Sequence, residues 1–266
     1  MQLAVVNGDR VEATPGQVGQ CPDCGRKAVA KCGPKVMHHW AHAGRNCDPW
    51  WENETQWHRD WKNLFPQECR EISHTASEGE IHRADIKAPG GIYVEVQHSA
   101  MSQAERQSRE AFYDNMIWIV DGLPFAKRFH LDHILPDPRL EWVQDLKWFP
   151  VTQPPRYGAN GLYHRFSLIA KDKEEWPEGN MHELFSMHHR RQEFEEAYIG
   201  HHQYFWLRAH STWLEATRSV YLDFGSHHLM RLERYPVGDL PCVRLVNKLE
   251  LVSQLHAKSI ANDLCI

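Results

Sequence analysis

His82-Arg-Ala-Asp85-Ile-Lys-Ala-Pro-Gly-Gly-Ile-Tyr-Val-Glu95-Val-Gln97 offers turn chemistry at one place only, Pro89-Gly90-Gly91, with strand-forming residues on either side. The stretch therefore reads as a hairpin whose arms pair about residue 90. Side chains alternate along a strand, so Ala84, Ile86, Ile92, Val94 and Val96 share one face. Arg83, Asp85, Lys87, Tyr93, Glu95 and Gln97 share the other, and Asp85 stands opposite Glu95. Two carboxylates roughly 5 Å apart across a ladder repel each other. A divalent cation with hard oxygen preferences, Mg²⁺ or Mn²⁺, would remove the conflict and leave coordination places for phosphate and water. The plainer alternative is a solvated polar face neutralised by Arg83 and Lys87.

Upstream, Trp50, Trp57, Trp61 and Leu64 recur at helical spacing from about Pro49 to Phe65, and Pro66 ends the pattern. Glu54, His58 and Lys62 form an i, i+4, i+8 row on that helix, able either to face the carboxylate hairpin or to make a surface ladder. Strands follow at about 68–74, 81–88 and 92–98. Ser102-Gln-Ala-Glu105 then reads as a capping box opening a helix to about Asn115, and Met116–Val120 as a buried strand. The expected order is helix, three strands, helix, strand.

Ahead of this lies a hairpin over residues 2–14, turned at Asn7-Gly8, a dipeptide that accepts positive φ. Cys21-Pro-Asp-Cys24, His39-x2-His42 and Cys47 then supply sulfur and nitrogen donors at the spacing of small zinc modules. Zinc takes four ligands, expected to be Cys21, Cys24, His42 and either Cys47 or His39, with Cys32 a further donor. Such a site would stabilise a segment too short to build a core of its own.

Seven cysteines, five of them before residue 70, fit metal ligands in a reducing compartment better than disulfides. The first residues lack a basic and apolar leader, and no stretch is long enough to span a membrane, so a cytoplasmic protein is expected. A net charge of −5 excludes coating of a polyanion by bulk electrostatics, and any nucleic-acid contact must be local. The expected organisation is a hairpin and zinc module over 1–48, a core over 49–122, a proline-rich connection over 123–160 and a C-terminal region over 161–266. In that last region a helical stretch near 181–216, broken at Gly200, should precede strands near 219–224, 229–235 and 242–251.

Taken in order, His39-Trp-Ala-His42, Glu54-x3-His58-x3-Lys62, Arg83-Ala-Asp85 and Glu95-Val-Gln97-x-Ser99 resemble the motifs of the CoiA-like competence-protein family. Arg106, Arg109 and Tyr113 before Ile117-Trp-Ile119 fit the same pattern, which covers about residues 20–122 and loosely 219–235. The resemblance implies a mixed α+β or α/β fold with a nuclease-like core of the PD-(D/E)XK superfamily. It implies metal-dependent hydrolysis of DNA phosphodiesters, as an endonuclease or exonuclease in DNA uptake, recombination or defence. Asp85 and Glu95 would bind Mg²⁺ or Mn²⁺, Glu54 and His58 would assist, and Gln97 would orient water. Lys62, Arg106 and Arg109 would hold DNA. Gln97 stands where the superfamily has lysine, a cation that Lys62 or Lys87 would then supply. The alternatives are an accessory protein that binds nucleic acid on the same fold with reduced catalysis, and a zinc-stabilised interaction module.

Overall fold

A computed structural model describes residues 1–35, 37–43, 48, 50, 54–77, 79–150, 161–175, 177 and 191–257. The chain is mixed α+β and forms two compact units. The first comprises Met1–Val120, Ala216–Ser219 and the chain from Leu251 onward; the second comprises Asp121–Glu215 and Val220–Glu250. Among the described residues no helix is long and apolar enough to cross a membrane.

The first unit begins with a five-stranded sheet of order β2-β1-β3-β4-β5. Its strands are β1 (Leu3–Val6), β2 (Asp9–Glu12), β3 (Val18–Gln20), β4 (Lys27–Lys31) and β5 (His39–His42). Val6 pairs with Asp9, which leaves Asn7 and Gly8 as a two-residue loop with φ of 53° and 96°. Both central residues are left-handed, as the expected tight turn requires. Ala4, Ala28 and Trp40 pack with Cys21 into a small core under this sheet. The segment expected to be held by metal alone thus also has sheet pairing and a buried tryptophan.

Four further strands of this unit run in the order β6 (Arg70–Thr75), β7 (Ile81–Lys87), β8 (Tyr93–Gln97) and β9 (Met116–Asp121). The first three are antiparallel, and β9 lies parallel to β8. Helix α2 (Gln103–Phe112) makes the crossover that a parallel pair needs. Burial alternates along β7, whereas every residue of β8 and β9 is buried, so these two strands are covered on both faces.

Helix α1 (Gln56–Lys62) is capped at Thr55 and ends before Phe65; of the span expected from Pro49, residues 49 and 51–53 lie outside the described residues. The Thr55 hydroxyl accepts from the His58 N–H, and His58 Nδ1 accepts from the Thr55 N–H, a reciprocal capping box. The box expected at Ser102 is half formed: Ser102 Oγ caps the Glu105 N–H, and the Glu105 carboxylate pairs with Arg109.

In the second unit the strand order is β10-β13-β16-β15-β14, all antiparallel where their pairing is described. The ranges are β10 (Phe129–Pro136), β13 (Tyr198–Trp206), β14 (Ser219–Asp223), β15 (His228–Tyr235) and β16 (Leu240–Asn247). Two expectations are corrected here. Residues 123–160 carry β10 and one arm of a separate hairpin, β11 (Leu146–Pro150) with β12 (Gly161–Arg165), rather than only connection. The helix expected over 181–216 is not continuous: 181–190 lie outside the described residues, Arg191–Glu196 and Ser211–Leu214 are short helices, and strand β13 runs between them. The aromatic run Tyr204-Phe205-Trp206 suits a pleated, half-buried surface. Gly200 does not break a helix: at φ 107° it lets the strand pass Leu245, whose carbonyl oxygen would lie 3.0 Å from any Cβ there.

Candidate active cleft and metal centre

The β7–β8 ladder pairs Ile86 with Val94 and Lys87 with Tyr93, the register expected from the turn. Continued one step, it sets Asp85 across from Glu95. Asp85 Oδ2 accepts the Val96 N–H of β8 at 3.0 Å, which ties the side chain to the facing strand. A cleft opens there. Asp85, Glu95 and Gln97 line it together with Glu54, His58 and Lys62 from the end and body of α1.

Lys62 is its electrostatic centre. It is only 3% exposed, and its Nζ lies 2.6 Å from Glu54, 3.3 Å from Glu71 and 3.6 Å from Asp85. Burial alone would lower its pKa, but the three carboxylates outweigh it and hold the ammonium charged far above the usual lysine range. Lys62 therefore does not present a free charge to DNA, contrary to the expectation. Glu54 also takes Arg59, at 3.1 Å, so both of its oxygens are engaged.

Glu95 is buried, and one oxygen accepts from Arg109 Nη1 at 3.0 Å while Oε1 has no hydrogen-bond partner among the described residues. Desolvation and the neighbouring Asp85 push its pKa well above the ordinary carboxylate range, and Arg109 offsets them only in part. A buried carboxylate oxygen with no partner among the described residues, beside a second carboxylate, needs a positive charge to stay ionised and in its absence takes up a proton. It suits a hard divalent cation. Gln97 is buried in the same cleft and donates its amide to the Ser99 carbonyl oxygen at 3.0 Å. His58 reaches the cleft too, but its Nδ1 is committed to the helix cap.

Arg106 and Arg109 are not on a phosphate-facing surface. Arg106 is 1% exposed and paired with Glu110, which also accepts from Trp118 and Thr217. Arg109 bridges Glu95 and Glu105, donates to the Trp50 carbonyl and stands over the Trp50 ring. Arg106→Ala should accordingly destabilise the protein by about 3 kcal/mol, since it strands a buried carboxylate, and leave the salt dependence of any DNA binding unchanged. Urea melts and a salt titration check both halves, and a flattened salt slope would restore the DNA-contact role.

At the N-terminal sheet, the Cys21–Cys24 loop is closed by Gly25 N–H to Cys21 O at 3.0 Å and Cys21 N–H to Arg26 O at 2.8 Å. This loop directs both thiols toward β5, where His42 Nε2 lies 3.4 Å from Cys24 Sγ. The ligand atoms of Cys21, Cys24 and His42 all fall within 4.8 Å of one another, so the three could hold a metal ion. His39 is three positions from His42 on the same strand and projects from the opposite face, where its Nδ1 meets the Met37 carbonyl oxygen at 2.8 Å. It drops out as a ligand of this group. Cys47 lies outside the described residues, and Cys32 is not in the cluster.

Sequence reasoning missed several cleft residues. Glu71, at the start of β6, accepts the Gln2 and Leu3 N–H groups at 2.8 and 2.9 Å as well as Lys62. Asp48 accepts the Arg83 N–H and lies 3.0 Å from His82, whose ring stacks on Trp50. None has a spacing signature, because each finds its partner from a distant part of the chain. Compared with known proteins, the chain matches no family model, no curated protein and no solved structure.

Proposed function

We propose that the chain is a metal-dependent deoxyribonuclease with a core of the PD-(D/E)XK type, resembling CoiA-like proteins, and with zinc at Cys21, Cys24 and His42. The observation that carries this reading is a buried Glu95 oxygen, without a partner among the described residues, in one cleft with the Asp85 carboxylate. Asp85 and Glu95 would hold Mg²⁺ or Mn²⁺. Such an ion, when bound, lowers the pKa of water and offsets charge developing on phosphate, effects worth several kcal/mol.

The residues of the chain supply the rest. Asp85 is the more open of the two carboxylates, with its side chain a quarter exposed, and gives the cleft its mouth. Lys62 stands 3.6 Å from Asp85 and so brings a fixed positive charge to the cleft in which Gln97 replaces the superfamily's lysine. Glu54 and Glu71 hold that ammonium in place. Arg109 steadies Glu95, and Gln97, tied to Ser99, is positioned to orient water. Retention of this acidic cluster favours turnover over a role in binding alone, because unneutralised carboxylates repel phosphate.

Cleavage assays on single-stranded, duplex and branched DNA, with Mg²⁺, Mn²⁺ or chelator, test the proposal; absence of metal-dependent cleavage on all of them refutes it. For the second metal, purified protein should contain one zinc per chain, because paired thiolates select zinc over hard cations. Elemental analysis giving less than half an equivalent, with folding unchanged in chelator, would refute the zinc assignment.

A further inference from the structure

Arg83 lies two residues before Asp85 on β7 and lines the same cleft. Its guanidinium nevertheless belongs to the cysteine knuckle: Nη2 donates to Cys21 Sγ at 3.4 Å and to the Asp23 carboxylate. Asp23 is fastened in turn by Ser73 of β6. The Arg83 peptide N–H donates to Asp48 at 3.0 Å. Strand β7 is thus clamped at one residue, by the side chain to one metal-ligand candidate and by the backbone to a cleft carboxylate. Nε of Arg83 has no partner among the described residues, so the acceptors described for this nine-tenths buried guanidinium are both on the knuckle.

We infer that Arg83 is a positioning residue which couples the Cys21–Cys24–His42 metal site to the carboxylate cleft by hydrogen-bonding the Cys21 sulfur and so fixing the strand that carries Asp85. The inference rests on the nuclease reading for the cleft and on the cysteine cluster for the other end. A thiolate that binds metal keeps a lone pair able to accept a charge-assisted N–H bond, and partners of this kind orient ligands and tune their donor strength. Metal in the knuckle would hold the Cys21 sulfur as a thiolate acceptor; without it Arg83 keeps only the Asp23 carboxylate as a charged acceptor, and its hold on β7 weakens. Asp85, two residues on, is then held less firmly against Glu95, by the β7–β8 pairing and its bond from Val96. Lysine at position 83 could still reach one acceptor with a charged donor, whereas glutamine has no charge and a shorter reach.

The test uses the full chain with cobalt(II) in the knuckle, in wild type, Arg83→Lys and Arg83→Gln. A hydrogen bond to a cobalt-bound thiolate lowers the energy of its lone pair. Its loss should therefore move the sulfur-to-cobalt charge-transfer band to longer wavelength in Arg83→Gln, with Arg83→Lys between it and wild type. Mn²⁺ binding at the cleft, followed by electron paramagnetic resonance, should weaken about tenfold in Arg83→Gln, in keeping with the effect of removing a ligand's outer partner. Wild type stripped of its knuckle metal should weaken to the same degree. Identical spectra in all three proteins would overturn the contact to sulfur. A shifted band with unchanged Mn²⁺ affinity overturns the coupling alone, and Mn²⁺ bound by none of the proteins overturns the nuclease reading and the coupling with it.

Discussion

Asp85→Asn and Glu95→Gln should each reduce Mg²⁺- or Mn²⁺-dependent DNA cleavage by about 1000-fold, equivalent to about 4 kcal/mol of transition-state stabilisation. Each substitution keeps the shape of the side chain and removes the negative charge that would hold the ion. Their effects on stability should separate. Glu95 is a buried carboxylate with one oxygen unpartnered among the described residues, so in chelator Glu95→Gln should melt no lower than wild type. Asp85 accepts the Val96 N–H and neighbours Lys62, so Asp85→Asn should melt slightly lower. Adding Mg²⁺ should raise the melting temperature of wild type, through binding to the folded state, and leave both variants where they were. Cleavage and melting measured on the same preparations decide the matter: variants that cut as well as wild type would remove these residues from the chemistry, and an equal Mg²⁺ shift in all three would place the ion elsewhere.

The part of this site legible in the sequence is the part set by local rules. One available turn fixed the β7–β8 register, and the alternation of a strand then put Asp85 and Glu95 on one face. Asn7-Gly8 behaved in the same way, as did the two-thiol loop. The arginines of α2 were misread because a helical pattern separates polar from apolar positions but cannot tell a solvated charge from one buried against a partner. Arg106 and Arg109 find Glu110 and Glu95, the second of these on another element. Strand alternation sets His39 and His42, three positions apart, on opposite faces, so the sequence itself separates His39 from the ligand set once this segment is known to be a strand. In the second unit the aromatic content of β13 outweighed a weak helical pattern, and Gly200 served a close approach between strands rather than a helix end.

Glu71 carries a stability effect as large as that expected of Arg106. Its backbone sits at φ 49°, a left-handed conformation that costs a non-glycine residue on the order of 1 kcal/mol or more, so something must hold it there. The side chain does: both oxygens take backbone N–H groups of β1 and its neighbour Gln2, and one also meets Lys62. Burial would raise the carboxyl, but Lys62 and those donors outweigh it and pull its pKa from an ordinary 4.5 down to about 2. A lowered folded-state pKa stabilises above the unfolded value and stops doing so as pH falls. This contribution should therefore be complete above pH 4.5 and fade toward pH 2. Glu71→Gln keeps the side-chain shape but removes the charge, leaving Lys62 undercompensated and one N–H facing an amide that can donate but not accept at that end. The cost should be about 3 kcal/mol, or a fall in melting temperature of roughly 6–12 °C. Glu71→Gly would relieve the backbone yet lose every side-chain bond, so it should be no more stable than Glu71→Gln. Melting curves from pH 7 to pH 2 give both tests: wild type should lose its advantage over Glu71→Gln below pH 4.5, and a Glu71→Gln variant that melts with wild type at pH 7 would show that this carboxylate does not join the N-terminal sheet to the cleft.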